Sequence, residues 1–281
     1  MSWLEVDLLV RPLEPWRDLL MVELLDLGYE GFEETVHGLR AYGRKDLVDP
    51  MALRRLRTAR DPHCSVSHVL RELPDENWNA RWENSFQPIE VDGRVHIRAE
   101  FHPEAPGFEH QLIVTPKMAF GTGHHATTRM MVRAMLPLPL KGQRVLDLGC
   151  GTGVLAILAE RLGAQEVLAV DNDPTAVANA RETVALNCCE RVLVEEGGTD
   201  LRGKGTFNAI LANIERNVLI QAMPGLQAAL APGGTLLLSG FIRPDLTRMA
   251  DAATASGLRP GETRNEGEWC LLGCTKPEAQ P

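Results

Sequence analysis

Residues 144–153 read Arg144-Val145-Leu146-Asp147-Leu148-Gly149-Cys150-Gly151-Thr152-Gly153. The first five residues read as a buried strand. Glycines then alternate through the turn, and Val154–Leu162 carries the pattern of a helix. Glycine lets a backbone turn tightly and approach a ligand closely. The start of a helix aims unpaired N–H groups at that ligand. A tight turn without any ligand is the plainer alternative, and the strand–loop–helix context weighs against it.

The glycine spacing bears on which ligand fits. A dinucleotide fingerprint, GxGxxG, would place its third glycine at position 154. That position is Val154, and the glycine falls one residue earlier, at Gly153. A phosphate-free adenosine ligand such as S-adenosylmethionine does not need the pyrophosphate geometry. The next strand, Val167-Leu168-Ala169-Val170, ends on Asp171. A carboxylate there can accept both ribose hydroxyls of an adenosine. Asp173 stands directly before Pro174 and reads as the cap of the following helix.

Downstream of this unit, strand and helix patterns alternate. Pro174–Leu186 reads as a helix, Arg191–Glu195 and Phe207–Ala212 as strands, and Val218–Leu230 as a helix. Thr235–Ser239, a helix over Arg243–Ala255 and a last strand over Glu268–Cys274 complete the series. The succession predicts an α/β fold with a doubly wound, largely parallel sheet and ligands at the carboxyl ends of its strands. Upstream the pattern differs. Trp3–Val10 alternates as a strand, Glu14–Leu27 is a helix ended by Gly28, and Phe32–Val36 and Leu39–Gly43 are short strands. A second helix runs from Asp49-Pro50 through Arg57, and Ser65–Leu73 is a strand. This β-α-β-β-α-β order is that of a small α+β ferredoxin-like domain. It predicts a domain over residues 1–73, a linker helix and entry strand over 74–100, and a catalytic domain over 101–281. In the linker, Trp78 and Trp82 share one helix face, which suits packing of the linker or contact with a substrate.

The stretch Met118-Ala119-Phe120-Gly121-Thr122-Gly123-His124-His125-Ala126-Thr127-Thr128, the glycine loop, Val170-Asp171-Asn172-Asp173-Pro174 and Ile210-Leu211-Ala212-Asn213-Ile214 together resemble the ribosomal protein L-eleven methyltransferase family, PrmA. The resemblance covers most of the chain. It implies a class I methyltransferase sheet behind a small substrate-recognition domain. It also implies methyl transfer from S-adenosylmethionine to lysine side chains and the N-terminal amine of a large-subunit ribosomal protein. By motif position it makes Thr128, Gly149, Gly151, Asp171 and Asn213 cofactor contacts, with Asn213 as the catalytic candidate.

The amide of Asn213 can accept and donate, so it can position an incoming amine or the cofactor, or satisfy a loop backbone. Ile214-Glu215 follows it, where adenine and glutamine methyltransferases carry Pro-Pro-aromatic. The absence of that stacking surface favours a flexible alkyl amine. His124 and His125 could act as bases, hydrogen-bond the loop or face solvent. Phe120 could cover the cofactor or pack in the core, and Thr127 and Thr128 could cap the helix that follows.

The formal net charge of −9 suits a basic partner better than stable binding of nucleic acid. The six cysteines match no zinc pattern or disulfide framework, so no metal is expected and the thiols read as reduced, in a cytoplasmic monomer. No apolar run is long enough to span a membrane. Methylation of RNA or a small molecule, a non-enzymatic ribosome-binding module, and a nicotinamide-dependent enzyme are the competing readings. Val154 and the lack of a clear hydride-transfer acid disfavour the last.

Overall fold

Alternation decides the first strand of the computed structural model. Leu4, Val6, Leu8 and Val10 of β1 (Trp3–Arg11) are buried, while Leu9 is exposed. The structure describes residues 3–13, 16–73, 87–115 and 125–278, without the side chains of Asp18, Val22, Asp26 and Glu34. The linker helix expected over residues 75–85, with Trp78 and Trp82, lies outside these, as do Phe120 and His124. Contacts divide the chain into two compact units, Met1–Ser85 and Phe86–Pro281.

In the first unit, α1 (Trp16–Asp26), β2 (Gly31–Thr35), β3 (Gly38–Arg44) and β4 (Ser65–Leu73) follow β1. The sheet order is β2-β3-β1-β4, antiparallel throughout. Leu20 and Leu24 of α1 pack with Leu8, Leu39 and Tyr29 in the core. The second helix expected from Asp49 is instead a pair of 3-10 turns, Pro50–Arg55 and Thr58–Arg60. Asp49 does cap the first, accepting from the Met51 N–H at 2.9 Å. The buried residues of this segment are Leu53, Leu56 and Thr58. Leu56 follows the first turn at φ −52 and ψ 129, outside the helical region, so the chain breaks there before an α-helix can extend and turns again from Thr58.

The second unit opens with β5 (Ile89–Val91), β6 (Val95–Ala99) and β7 (His110–Val114). Val91, Val95 and Ile97 share a core with Val145 and Ile157. Residues 89–99 therefore belong to the core of the second unit, whereas the sequence placed them in a linker reaching residue 100. Asn187 fastens this small sheet: its side chain accepts from the Ile113 N–H at 2.9 Å and donates to the Ile113 carbonyl at 2.6 Å.

Then come α2 (Ala126–Met135), β8 (Arg144–Leu148), α3 (Val154–Arg161), β9 (Glu166–Asp171), α4 (Pro174–Leu186), β10 (Val192–Glu196) and β11 (Phe207–Asn213). The chain closes with α5 (Arg216–Ala229), β12 (Leu230–Ile242), α6 (Leu246–Ala255), β13 (Arg259–Glu266) and β14 (Trp269–Thr275). These seven strands form one sheet in the order β10-β9-β8-β11-β12-β14-β13. Only β14 runs against its neighbours. Val145 faces one core cluster while Leu146 and Leu148 face the other, so β8 is buried on both sides. Strand order reverses at β8 and β11, which places the ligand crevice outside their carboxyl ends. No helix among the described residues is long and apolar enough to cross a membrane.

Candidate active site

The turn after β8 supplies the first part of the site. Gly149, Gly151 and Gly153 all have positive φ, and Gly153 stands as the N-cap of α3 with no side chain to offer. The missing cap is supplied from the strand. Asp147, 1% exposed, accepts the Ala156 N–H through Oδ2 at 3.0 Å. Ala156 occupies the third position of the helix, whose N–H an ordinary capping side chain would take. The glycine can therefore be kept where the backbone must approach a ligand.

Asp171 leaves the end of β9 half-buried, with both carboxylate oxygens fixed. Oδ2 accepts the Gly151 N–H at 2.9 Å, and Oδ1 accepts the Asp173 N–H at 3.1 Å. Each oxygen retains a free lone pair for a further donor. Asp173 is occupied as the cap of α4, accepting from Thr175 at 2.8 Å. The cap at Asp173 is the one expected from its place before Pro174.

Asn213 ends β11 beside this loop. Leu148 pairs with Ala212, and the side chain of Ile214 lies against Gly149. Asn213 is 9% exposed, and its Oδ1 is buried with no partner among the described residues. Thr128 is 1% exposed, and its hydroxyl is buried in the same state. It lies in the first turn of α2. That helix start reaches the carboxyl end of the sheet, because the ring of His125 packs edge-on against Trp269, 4.5 Å between centroids. Trp269 begins β14, which runs antiparallel to β12. The structure thus brings Gly151 into direct contact with Asp171 and Gly149 onto the Val170 carbonyl next to it, with Asn213 beside the loop and Thr128 at the same end of the sheet.

Thr127 and Thr128 do not cap α2. His125 does, its Nδ1 accepting the Thr127 N–H at 3.3 Å and lying 2.8 Å from the Thr127 hydroxyl. Burial, and then the charge of Arg129, hold this imidazole below its ordinary pKa. It is neutral at physiological pH, as an acceptor at Nδ1 requires. Among the described residues no group of three or more His, Cys, Asp or Glu side chains could hold a metal ion.

Sequence reasoning assigned no role to Asp147, although a lone acid inside an apolar strand was a signal available to it. Burial pushes this carboxyl up from 3.8 to about 7, and the nearby charge of Asp171 adds to the effect. The folded chain therefore keeps a proton that the unfolded chain releases. The resulting stabilisation is fully present below pH 3.8 and is lost as pH rises through about 7. Asp147→Asn keeps an acceptor for Ala156 and cannot ionise. Between pH 5 and pH 8 the variant is expected to gain on the wild type by on the order of 2 kcal/mol in urea unfolding. Parallel pH profiles for the two chains would rule this out.

A glycine loop after β8 at the switch point of a β10-β9-β8-β11-β12-β14-β13 sheet, with a carboxylate at the end of β9, is the arrangement of a class I methyltransferase. Comparison with known proteins narrows the class. The family model for ribosomal protein L11 methyltransferase (PrmA) matches residues 24–277. A ribosomal protein L11 methyltransferase of Porphyromonas gingivalis is 41% identical over 94% of this chain and 92% of its own length. One of Phocaeicola vulgatus is 37% identical over 97% and 98%. The crystal structure of a ribosomal protein L11 methylase from Lactobacillus delbrueckii subsp. bulgaricus superposes with a TM-score of 0.60 at 26% identity, covering 69% of this chain and all of that one. The chain belongs to the ribosomal protein L11 methyltransferase family.

Proposed function

We propose that the chain transfers methyl groups from S-adenosylmethionine to lysine side chains and the N-terminal amine of ribosomal protein L11. The observation that carries this reading is a pair of buried oxygens with no partner among the described residues, Asn213 Oδ1 beside the glycine loop that holds Asp171 and Thr128 Oγ1 at the same end of the sheet. Buried polar atoms left unpaired are costly, and bound ligands relieve that cost, the cofactor at Thr128 and the incoming amine at Asn213. The residues therefore fit an adenosine carrying a methionine tail. Asp171 accepts the two ribose hydroxyls. Gly149 and Gly151 let the backbone approach, and Thr128 holds the polar end.

When bound, S-adenosylmethionine supplies a methyl already activated by its sulfonium. The chain's own residues must orient the acceptor and keep it neutral. A lysine amine has a pKa of about 10.4, and an α-amine about 7.7–8.0. Exclusion of water around Asn213 favours the uncharged form of either. The Asn213 carbonyl accepts one amine N–H, which fixes the direction of the nitrogen lone pair. A formal net charge of −9 favours approach of a basic protein. We assign recognition of that protein to the first unit, Met1–Ser85, and methyl transfer to the second, Phe86–Pro281. The β2-β3-β1-β4 order with α1 supports a ferredoxin-like reading of the first region, its second helix shortened to 3-10 turns.

Labelled methyl from S-adenosylmethionine, presented with dissociated ribosomal proteins, is expected on L11, at lysines and the N-terminus. Asn213→Ala is expected to lower kcat by about 10²-fold, the scale of losing orientation, while S-adenosylhomocysteine binds within a few-fold of the wild type. Label on RNA instead of L11, or an unchanged kcat in this variant, would overturn the assignment.

A further inference from the structure

Ile214 touches the site from an unexpected direction. A Cβ built on Gly149 would lie 2.0 Å from Ile214 Cγ2. A Cβ built on Gly240, at the bulge where β12 shifts register against β14, would lie 2.2 Å from the Ile214 carbonyl oxygen and 3.0 Å from its nitrogen. Residue 214 is therefore held on two sides. Its β-branch fills the space that Gly149 leaves in the cofactor loop, and its backbone fills the space that Gly240 leaves. The Ile214 nitrogen belongs to the peptide that it shares with Asn213. Asn213 is also paired in register with Ser239, whose hydroxyl donates to the Cys270 carbonyl at 2.8 Å.

We propose that Ile214 is a positioning residue, which transmits the conformation of the Gly149 loop to the Asn213 carboxamide through its Cγ2 branch. The proposal rests on the reading of Asn213 given above. It makes Gly149 and Gly240 glycines for the sake of Asn213 as well as for the turns they form. Interiors pack closely and pass displacements on, so a change at the loop reaches the 213–214 peptide directly. The contact is made by a methyl on Cβ, and branching at Cβ restricts χ1 and so the places that methyl can take. Shape, rather than volume, is what position 214 must supply.

This separates two substitutions that volume alone would rank the other way. Ile214→Val keeps the β-branch and loses a methylene. Ile214→Leu keeps the volume and loses the branch. With L11 as methyl acceptor, the valine variant is expected to hold kcat and the dissociation constant for S-adenosylhomocysteine within about threefold. The leucine variant is expected to lose about tenfold or more in kcat, with cofactor affinity again within about threefold. Such a split between turnover and affinity marks an interaction needed in the transition state. Ile214→Met, unbranched and adaptable, replaces the leucine variant if the latter folds poorly. In parallel, the Asn213 side-chain amide resonances, assigned by their loss in Asn213→Ala, should shift in the leucine variant and stay in place in the valine variant. If the leucine variant neither shifts those resonances nor slows turnover, or if the valine variant loses as much as the leucine, Ile214 does not position Asn213. If Asn213→Ala turns over normally while the leucine variant still shifts the resonances, the coupling stands and the role of Asn213 falls.

Discussion

Asp171→Ala is expected to raise the dissociation constant for S-adenosylhomocysteine by about 10²–10³-fold, measured by calorimetry on the full chain. The carboxylate makes two kinds of contribution. It holds the loop, through the Gly151 N–H at 2.9 Å and the Asp173 N–H at 3.1 Å. It also offers the remaining lone pair on each oxygen to a ribose hydroxyl. Hydrogen bonds to a charged group each contribute about 1.5–3 kcal/mol net. Two of them, weakened by the half-exposure of Asp171, give the range above. Asp171→Asn exchanges one acceptor for a donor while keeping the shape. Its amide can satisfy Gly151 or Asp173 but not both, and one ribose hydroxyl keeps its acceptor. An intermediate loss of about 10–30-fold is expected from halving the same interaction. A dissociation constant within fivefold of the wild type for Asp171→Ala would show that the ribose lies elsewhere.

The distance over which a signal acts explains which parts of this architecture the sequence reveals. The run from Arg144 to Leu186 is legible because every cue in it is local. The apolar strand, the glycine turn, the Asp173-Pro174 cap and the amphipathic helices all act within a few residues. Strand β13 gave no such cue. Arg-Pro-Gly-Glu-Thr-Arg-Asn-Glu has no alternation because it is the outer edge of the sheet, exposed along most of its length. Polar and proline residues there discourage pairing with other chains. The allegiance of β5 and β6 was hidden for a different reason. Val91, Val95 and Ile97 look the same whether they cover a linker or join the core around Val145, and only tertiary contact decides. The site divides along the same line. Asp171 and the glycines follow from spacing, and the expectations for Thr128 and Asn213 came from the family resemblance. The Asp147 cap on Ala156 and the seat of Ile214 between two glycines come from separate segments meeting at the crevice. The first could have been suspected from an acid in an apolar strand; the second had no signal in the chain.

That seat makes Gly149→Ala a severely damaging addition of one methyl at the crevice. At φ +71, an L side chain is strained by roughly 1–2 kcal/mol before any contact is considered. The new Cβ would then stand 2.0 Å from Ile214 Cγ2, a separation no pair of carbons can hold. Ile214 cannot retreat as a flexible side chain would, because its own backbone is pressed against Gly240. The loop must move instead, carrying Gly151 away from Asp171. A loss of more than about 3 kcal/mol in urea unfolding is expected, on the scale of overpacked cores added to backbone strain, together with loss of cofactor binding. Gly267→Ala is the control. Its φ of +62 imposes similar strain, and nothing lies within 4 Å of the added carbon, so only the backbone penalty of about 1 kcal/mol should appear. Adding Ile214→Ala to Gly149→Ala removes the colliding methyl. The double variant should recover part of the stability lost by the single one, a coupling of at least about 1 kcal/mol between residues in contact. Turnover should stay low, since the branch that seats Asn213 is then absent. Equal losses for Gly149→Ala and Gly267→Ala, or strictly additive losses in the double variant, would mean that the loop and Ile214 yield to one another freely. The crevice would then be a looser structure than its two glycines make it.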